Sequence, residues 1–134
     1  MKQLIYSSEP FGFDSAMLAG ILVRSREKNR EADITGALIC RHDMYLQLIE
    51  GPEAAIDAVF ARIVKDDRHL AVKVLLSRTA DQRMFPEWEM LDDQMPSLTW
   101  SAADVAGGIV ETATPEMLLG VFERVAAKAR IAAA

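Results

Sequence analysis

Short apolar runs punctuate the first two thirds of the chain at Leu4-Ile5-Tyr6, Ile34 to Cys40, Tyr45 to Ile49 and Val72 to Leu76, with Ser, Gly, Pro or Asp close by. Runs of this length, rich in branched and aliphatic residues, predict strands. The first is read from Met1 to Ser8, the second from Asp33 to Arg41, the third from Tyr45 to Glu50 and the fourth from Val72 to Ser77. His42-Asp43 reads as the hairpin turn between the second and third, and a short fifth strand is placed near Trp88 to Leu91. Between the first and second strands, and again after the third, the apolar spacing changes to a helical one. Glu9 to Phe13, with Pro10 and Gly12, is a loop, and Asp14 or Ser15 caps a helix that runs through Met17, Leu18, Ile21, Leu22 and Ser25 toward Asn29. Gly51-Pro52-Glu53 starts a second helix with Ile56, Val59, Phe60 and Ile63 on one side, fading at Asp66-Asp67-Arg68-His69.

The order β-α-β-β-α-β plus a strand predicts an α+β, ferredoxin-like split βαβ fold with both helices on one sheet face. Beyond Pro96 the character changes: Ala102 to Val110 reads as a short helix, and Thr114 or Pro115 opens a longer one. Met117, Leu118, Val121, Phe122 and Val125 give that helix an apolar stripe, which is expected to cover the opposite sheet face or a partner chain. The Ala-rich end, Ile131 to Ala134, is expected to fray. The expected division is a first domain at 1–93 and a helical extension at 94–134.

The chain has 134 residues, enough for one domain with its own core. Hydrophobic residues at 51% and charged residues at 26% are ordinary for a globular protein. A net charge of -5 and the lack of a basic run argue against direct nucleic-acid binding. No segment is long and apolar enough to span a bilayer, no basic amphipathic helix stands out, and no signal peptide opens the chain. With a single cysteine, Cys40, neither an internal disulfide nor a multi-thiolate metal site is expected, and the expected location is cytoplasmic.

Against this background Gln47 stands out as a neutral amide inside Tyr45-Leu46-Gln47-Leu48-Ile49. Buried without partners it would cost a few kcal/mol. Strand periodicity puts Leu4, Tyr6 and Ser8 on one face, and Tyr45, Gln47 and Ile49 on one face. In a split βαβ fold the first and third strands are neighbours, so Tyr6 and Gln47 are expected side by side beneath the helices. Ile21, Ser25, Lys28 and Asn29 share a side of the first helix, and Arg62, Asp66 and His69 share a side of the second. The two helices would frame a slot suited to a planar heteroaromatic with carbonyl and N–H edges.

These residues resemble the BLUF domain, a flavin-based blue-light sensor, from about Lys2 to Met90. The resemblance rests on separated motifs in order: Tyr6-Ser7-Ser8; Asn29 followed by Ile34-Thr35-Gly36-Ala37-Leu38; Gln47-Leu48-Ile49-Glu50-Gly51; Asp66-Asp67-Arg68-His69; and Phe85 with Trp88 and Met90. The resemblance implies a noncovalently bound flavin, usually FAD with FMN or riboflavin as alternatives, lying between the two helices. It implies that Tyr6 donates an electron and then a proton, and that Gln47 bridges Tyr6 to the flavin N5 and C4 carbonyl and switches by rotation or tautomerisation. Asn29 resembles the residue that holds the C4 carbonyl and N3 edge. Ser8, Ile21, Ser25, Arg62, Asp66, Arg68 and His69 fall among the implied cofactor contacts, and Trp88 and Met90 look like the pair that reports the switch to the sheet. Lys28 departs from the Asn or His often found before the asparagine; it can still donate a hydrogen bond, or favour flavin phosphates.

Singly, these residues have plainer readings. Tyr6 would be a core aromatic, Gln47 a satisfied buried amide, Asn29 a helix C-cap, and Arg62 with Asp66 a solvated pair. His69 would be a cap or surface group, and Trp88 and Met90 core residues. Two other functions are weighed beside the photoreceptor. An acylphosphatase-like hydrolase needs an anion-binding Arg after the first strand, and Ser7 to Phe13 has none. A non-photoactive ligand-binding or dimerisation module predicts no chromophore. The expected function is therefore non-enzymatic signalling to a separate protein effector or through self-association, with a homo-oligomer expected and neither nucleic acid nor membrane as a direct partner.

Overall fold

The computed structural model describes residues 1–10, 23, 26–41, 44–65, 69–86, 91–93 and 113–133. Strand β1 (Lys2–Pro10) leads to helical residues 26–31 (α1), and then to β2 (Thr35–Arg41) and β3 (Met44–Gly51). Helix α2 (Glu53–Val64), β4 (His69–Thr79), β5 (Leu91–Asp93) and α3 (Pro115–Ala133) complete the described elements. The sheet order is β4-β1-β3-β2-β5. β1 runs antiparallel to both β3 and β4, β2 runs antiparallel to β3, and β5 joins parallel to β2. This is the ferredoxin-like arrangement with an added edge strand.

Alternation along the central strands divides the core in two. Leu4, Tyr6, Leu38, Tyr45 and Ile49 point to one face and pack with Ile34 and with Ile56 and Val59 of α2. Ile5, Ala37, Ile39, Leu46 and Leu48 point to the other and pack with Leu118, Val121, Phe122, Val125 and Ala126 of α3. The carboxy-terminal helix thus covers the face opposite α2. Its start is set by Thr114, whose Oγ1 accepts from the Met117 N–H at 3.2 Å, with Pro115 in the first turn where its missing N–H costs nothing.

Close backbone approach explains Gly36. A Cβ there would lie 2.0 Å from the Leu48 carbonyl oxygen on β3. Only hydrogen fits, so the β2–β3 pairing depends on this residue. The turn before β2 is closed by Asp33, whose φ of 59° is tolerated by Asp better than by most residues.

Several expectations need correction. His69 does not share a helix side with Arg62: α2 ends at Val64, and His69 already belongs to β4, paired with Pro10. The long β1–β4 ladder claims its backbone, so β4 begins before Val72, and Glu9 and Pro10, expected in a loop, belong to β1 and pair with Leu70 and His69. Met117 is 44% exposed and lies off the buried stripe, which uses Ala126 instead. The Ala-rich end stays helical through Ala133, consistent with the high helix propensity of alanine. The expected helix over 102–110 and the turn at His42-Asp43 lie outside the described residues, as does the expected fifth strand except Leu91, where β5 begins.

Candidate functional site

The two central strands bring the principal residues together. Tyr6 on β1 and Gln47 on β3 are direct cross-strand partners, and Gln47 faces Leu38 of β2 on its other side. Tyr6 is fully buried, Gln47 nearly so, and the Tyr6 hydroxyl donates to Gln47 Oε1. The Phe60 ring of α2 meets the Tyr6 ring edge-on, with centroids 5.4 Å apart and planes at 63°. This packing fixes the phenol from above, while the strand ladder fixes it from below. Ser8 follows two residues along β1 and is buried opposite Tyr45. Asn29 of α1 is also buried, and its carbonyl accepts the Ile34 N–H at 2.8 Å, which ties the helix end to a member of the same apolar cluster.

The Tyr6 phenol, the Gln47 carboxamide and the Ser8 hydroxyl form a neutral donor and acceptor set on the α2 side of the sheet, in phase with Leu4, Tyr45 and Ile49. That chemistry fits a flavin ring, whose edges carry carbonyl and N–H groups and whose faces are apolar. Lys28 and Arg62 are exposed. His69 enters at the start of β4, at the Pro10 end of β1. Ile21, Ser25, Asp66, Arg68, Trp88 and Met90 lie outside the described residues. Among the described residues no group of three or more His, Cys, Asp or Glu is placed to hold a metal, and no helix is long and apolar enough to cross a membrane.

A second polar cluster, on the α3 side, escaped the sequence reading. Glu50 is completely buried and pairs with Gln3 across the same two strands. Its Oε1 accepts from Gln3 Nε2 at 2.9 Å and from the Met84 N–H at 2.7 Å; its Oε2 accepts from Thr35 Oγ1 at 3.0 Å and the Phe85 N–H at 2.7 Å. Arg83 Nη1 donates to Thr35 Oγ1 at 2.9 Å and Arg78 Nε to Gln3 Oε1 at 2.8 Å, so each neutral intermediary is polarised by a cation behind it. The available signal was alternation: Gln3 and Glu50 fall in phase with Ile5 and with Leu46 and Leu48, on the inward side.

The fold places a buried, hydrogen-bonded Tyr–Gln pair on the α2 face of a ferredoxin-like sheet. A family model described as BLUF, sensors of blue light using FAD, matches residues 1–91. The chain belongs to the BLUF family of blue-light sensors that use FAD. It is similar to the photoactivated adenylate cyclase subunit beta of Euglena gracilis, with 31% identity over 102 residues, which cover 74% of this chain and 12% of that protein. The chain therefore spans about an eighth of the length of the curated relatives it matches. Among solved structures it resembles the dark state of BlrB, a BLUF protein, with 28% identity, a TM-score of 0.82 and coverage of 95% of this chain and 96% of that one. It also resembles Klebsiella pneumoniae BlrP1 with FMN and cyclic diGMP, with 28% identity, a TM-score of 0.65 and coverage of 85% and 30%.

Proposed function

We propose that this chain senses blue light through the Tyr6–Gln47 pair and passes the signal to a separate protein effector, without catalysis of its own. The carrying observation is the buried hydrogen bond from the Tyr6 hydroxyl to Gln47 Oε1 at the centre of the sheet. Bound FAD supplies the light absorber and electron acceptor. Tyr6 serves as the electron and proton source, because its hydroxyl already points its proton at an acceptor in a dry site. Gln47 is the group that changes, since the two ends of a carboxamide are a donor and an acceptor of similar size. Turning it reverses hydrogen-bond polarity with little steric cost. Each exchanged bond is worth about 1 kcal/mol, enough to bias a two-state element. A charged Glu at that position would bring a desolvation cost instead.

Asn29 would hold the ring's carbonyl and N–H edge. Ser8, Ile21, Ser25, Lys28, Arg62, Asp66, Arg68 and His69 are assigned to the remaining cofactor contacts. Trp88 and Met90 are assigned to the relay. The cyclase named among the relatives suggests what such a sensor can control; here the effector is proposed to be a separate protein, with the working form a cytoplasmic homo-oligomer.

An absorption spectrum of purified protein in darkness and under blue light tests the reading. Oxidised flavin bands with a small red shift that reverses in the dark are expected. A colourless preparation that takes up no added FAD would leave the ligand-binding or dimerisation module as the better reading.

A further inference from the structure

The light-sensing site makes no use of Glu50, the most completely hydrogen-bonded acid among the described residues. We infer that Glu50 is a positioning residue that couples the Tyr6–Gln47 pair to helix α3. The inference rests on the light-sensing reading above.

Gln47 and Glu50 lie three residues apart on β3 and face opposite sides of the sheet. Each is the cross-strand partner of a β1 residue, Tyr6 and Gln3. The β1–β3 register is unbroken from Lys2↔Gly51 to Ser8↔Tyr45, so a shift of β3 at Gln47 carries the Glu50 backbone with it. The Glu50 carboxylate holds the next segment by its backbone: one oxygen takes the Met84 N–H and the other the Phe85 N–H, both at 2.7 Å. That segment grips α3 in turn. The buried Phe85 ring packs edge-on against Phe122, with centroids 6.3 Å apart and planes at 88°. Arg130 Nη2 donates to the Met84 carbonyl at 2.7 Å. The path from Gln47 to α3 thus runs through strand backbone, one carboxylate, two amide N–H groups, and two contacts on the helix.

The chemistry of the carboxylate suits a rigid link. With donors on both oxygens, the Glu50 side chain acts as an acceptor throughout, so it transmits a displacement instead of absorbing it by turning. Glu50→Gln keeps the shape but sets an NH2 group where one oxygen now accepts, facing donors on either side. At least one of the two N–H clamps is then lost.

Hydrogen exchange across residues 118–126, in darkness and under blue light, combined with the absorption spectrum of the same flavin-loaded protein, tests the coupling. In the parent chain both the red shift and a light-minus-dark exchange difference in α3 are expected. In Glu50→Gln the red shift should persist while the exchange difference falls about fivefold. An undiminished difference overturns the inference, as does loss of the red shift itself, which would put Glu50 in the cofactor site. A parent chain that shifts its spectrum without any response in α3 overturns it too. A parent chain with no red shift fails at the earlier reading and takes this one with it. Should Glu50→Gln not fold, Arg130→Gln decides: it removes the exposed tie to Met84 and leaves the core intact, and a difference equal to that of the parent refutes the path.

Discussion

The two faces of the sheet carry cross-strand polar pairs of opposite hydrogen-bonding character. On the α2 side, Tyr6 and Gln47 are neutral, and Gln47 owns both a donor and an acceptor end. On the α3 side, Gln3 meets Glu50, an acceptor whose two oxygens are approached by four donors. A group that can exchange donor and acceptor roles suits the proposed switch, and a group saturated in one role suits the inferred clamp. Both pairs sit on the same β1–β3 ladder, with one set of strand hydrogen bonds between them.

The contrast can be broken most severely through α3. Phe122→Ala removes a fully buried ring from the Phe85 contact and should destabilise the protein by about 3–5 kcal/mol in urea unfolding. Glu50→Ala leaves the Met84 and Phe85 N–H groups and the Gln3 and Thr35 donors facing a void, and should cost about 3 kcal/mol. A loss near zero would mean that the cluster is not a clamp.

On the other face the same kind of change should be mild for stability and complete for function. Tyr6→Phe and Gln47→Ala should each cost about 1–2 kcal/mol, because one buried partner is left unmet. Both should abolish the light-induced red shift while flavin stays bound, and a normal photocycle in either variant refutes the assigned roles. The smallest effect is expected at the surface. Lys2 Nζ lies 2.7 Å from Asp57 Oδ1, and the hydrogen bond to Asp57 holds the Lys2 ammonium above its ordinary range, against desolvation, which lowers it. A raised folded-state value stabilises the fold below the unfolded-state value, and the contribution disappears as pH rises through the folded one. Asp57→Asn should therefore leave Tm unchanged within error, with no pH dependence between about pH 6 and 9.

Much of the sensory face was legible from the chain. The strand alternation that put Tyr6 and Gln47 inward, together with the neighbour rule for the first and third strands, led to the observed pair. The stripe of Ile56 and Val59 was equally plain, because an amphipathic helix writes its buried side into its spacing. His69 was misplaced because helical spacing was extended past the point where pairing with Pro10 takes over the backbone. Met117 was misplaced for a related reason: spacing places a residue near the stripe, but the width of the covered surface sets whether it is buried.

By itself the sequence determined the order of the described strands, which residues of β1 and β3 share the Tyr6–Gln47 face and the chemistry available there, since all three follow from local periodicity and residue type. The clamp was decided only in three dimensions. Gln3, Thr35, Met84 and Phe85 converge on Glu50 from separations of 47, 15, 34 and 35 residues. No local period encodes such a meeting; it arises because antiparallel register aligns β1, β2 and β3 while the segment after β4 returns beneath them, where a buried carboxylate must gather donors from whatever the fold delivers.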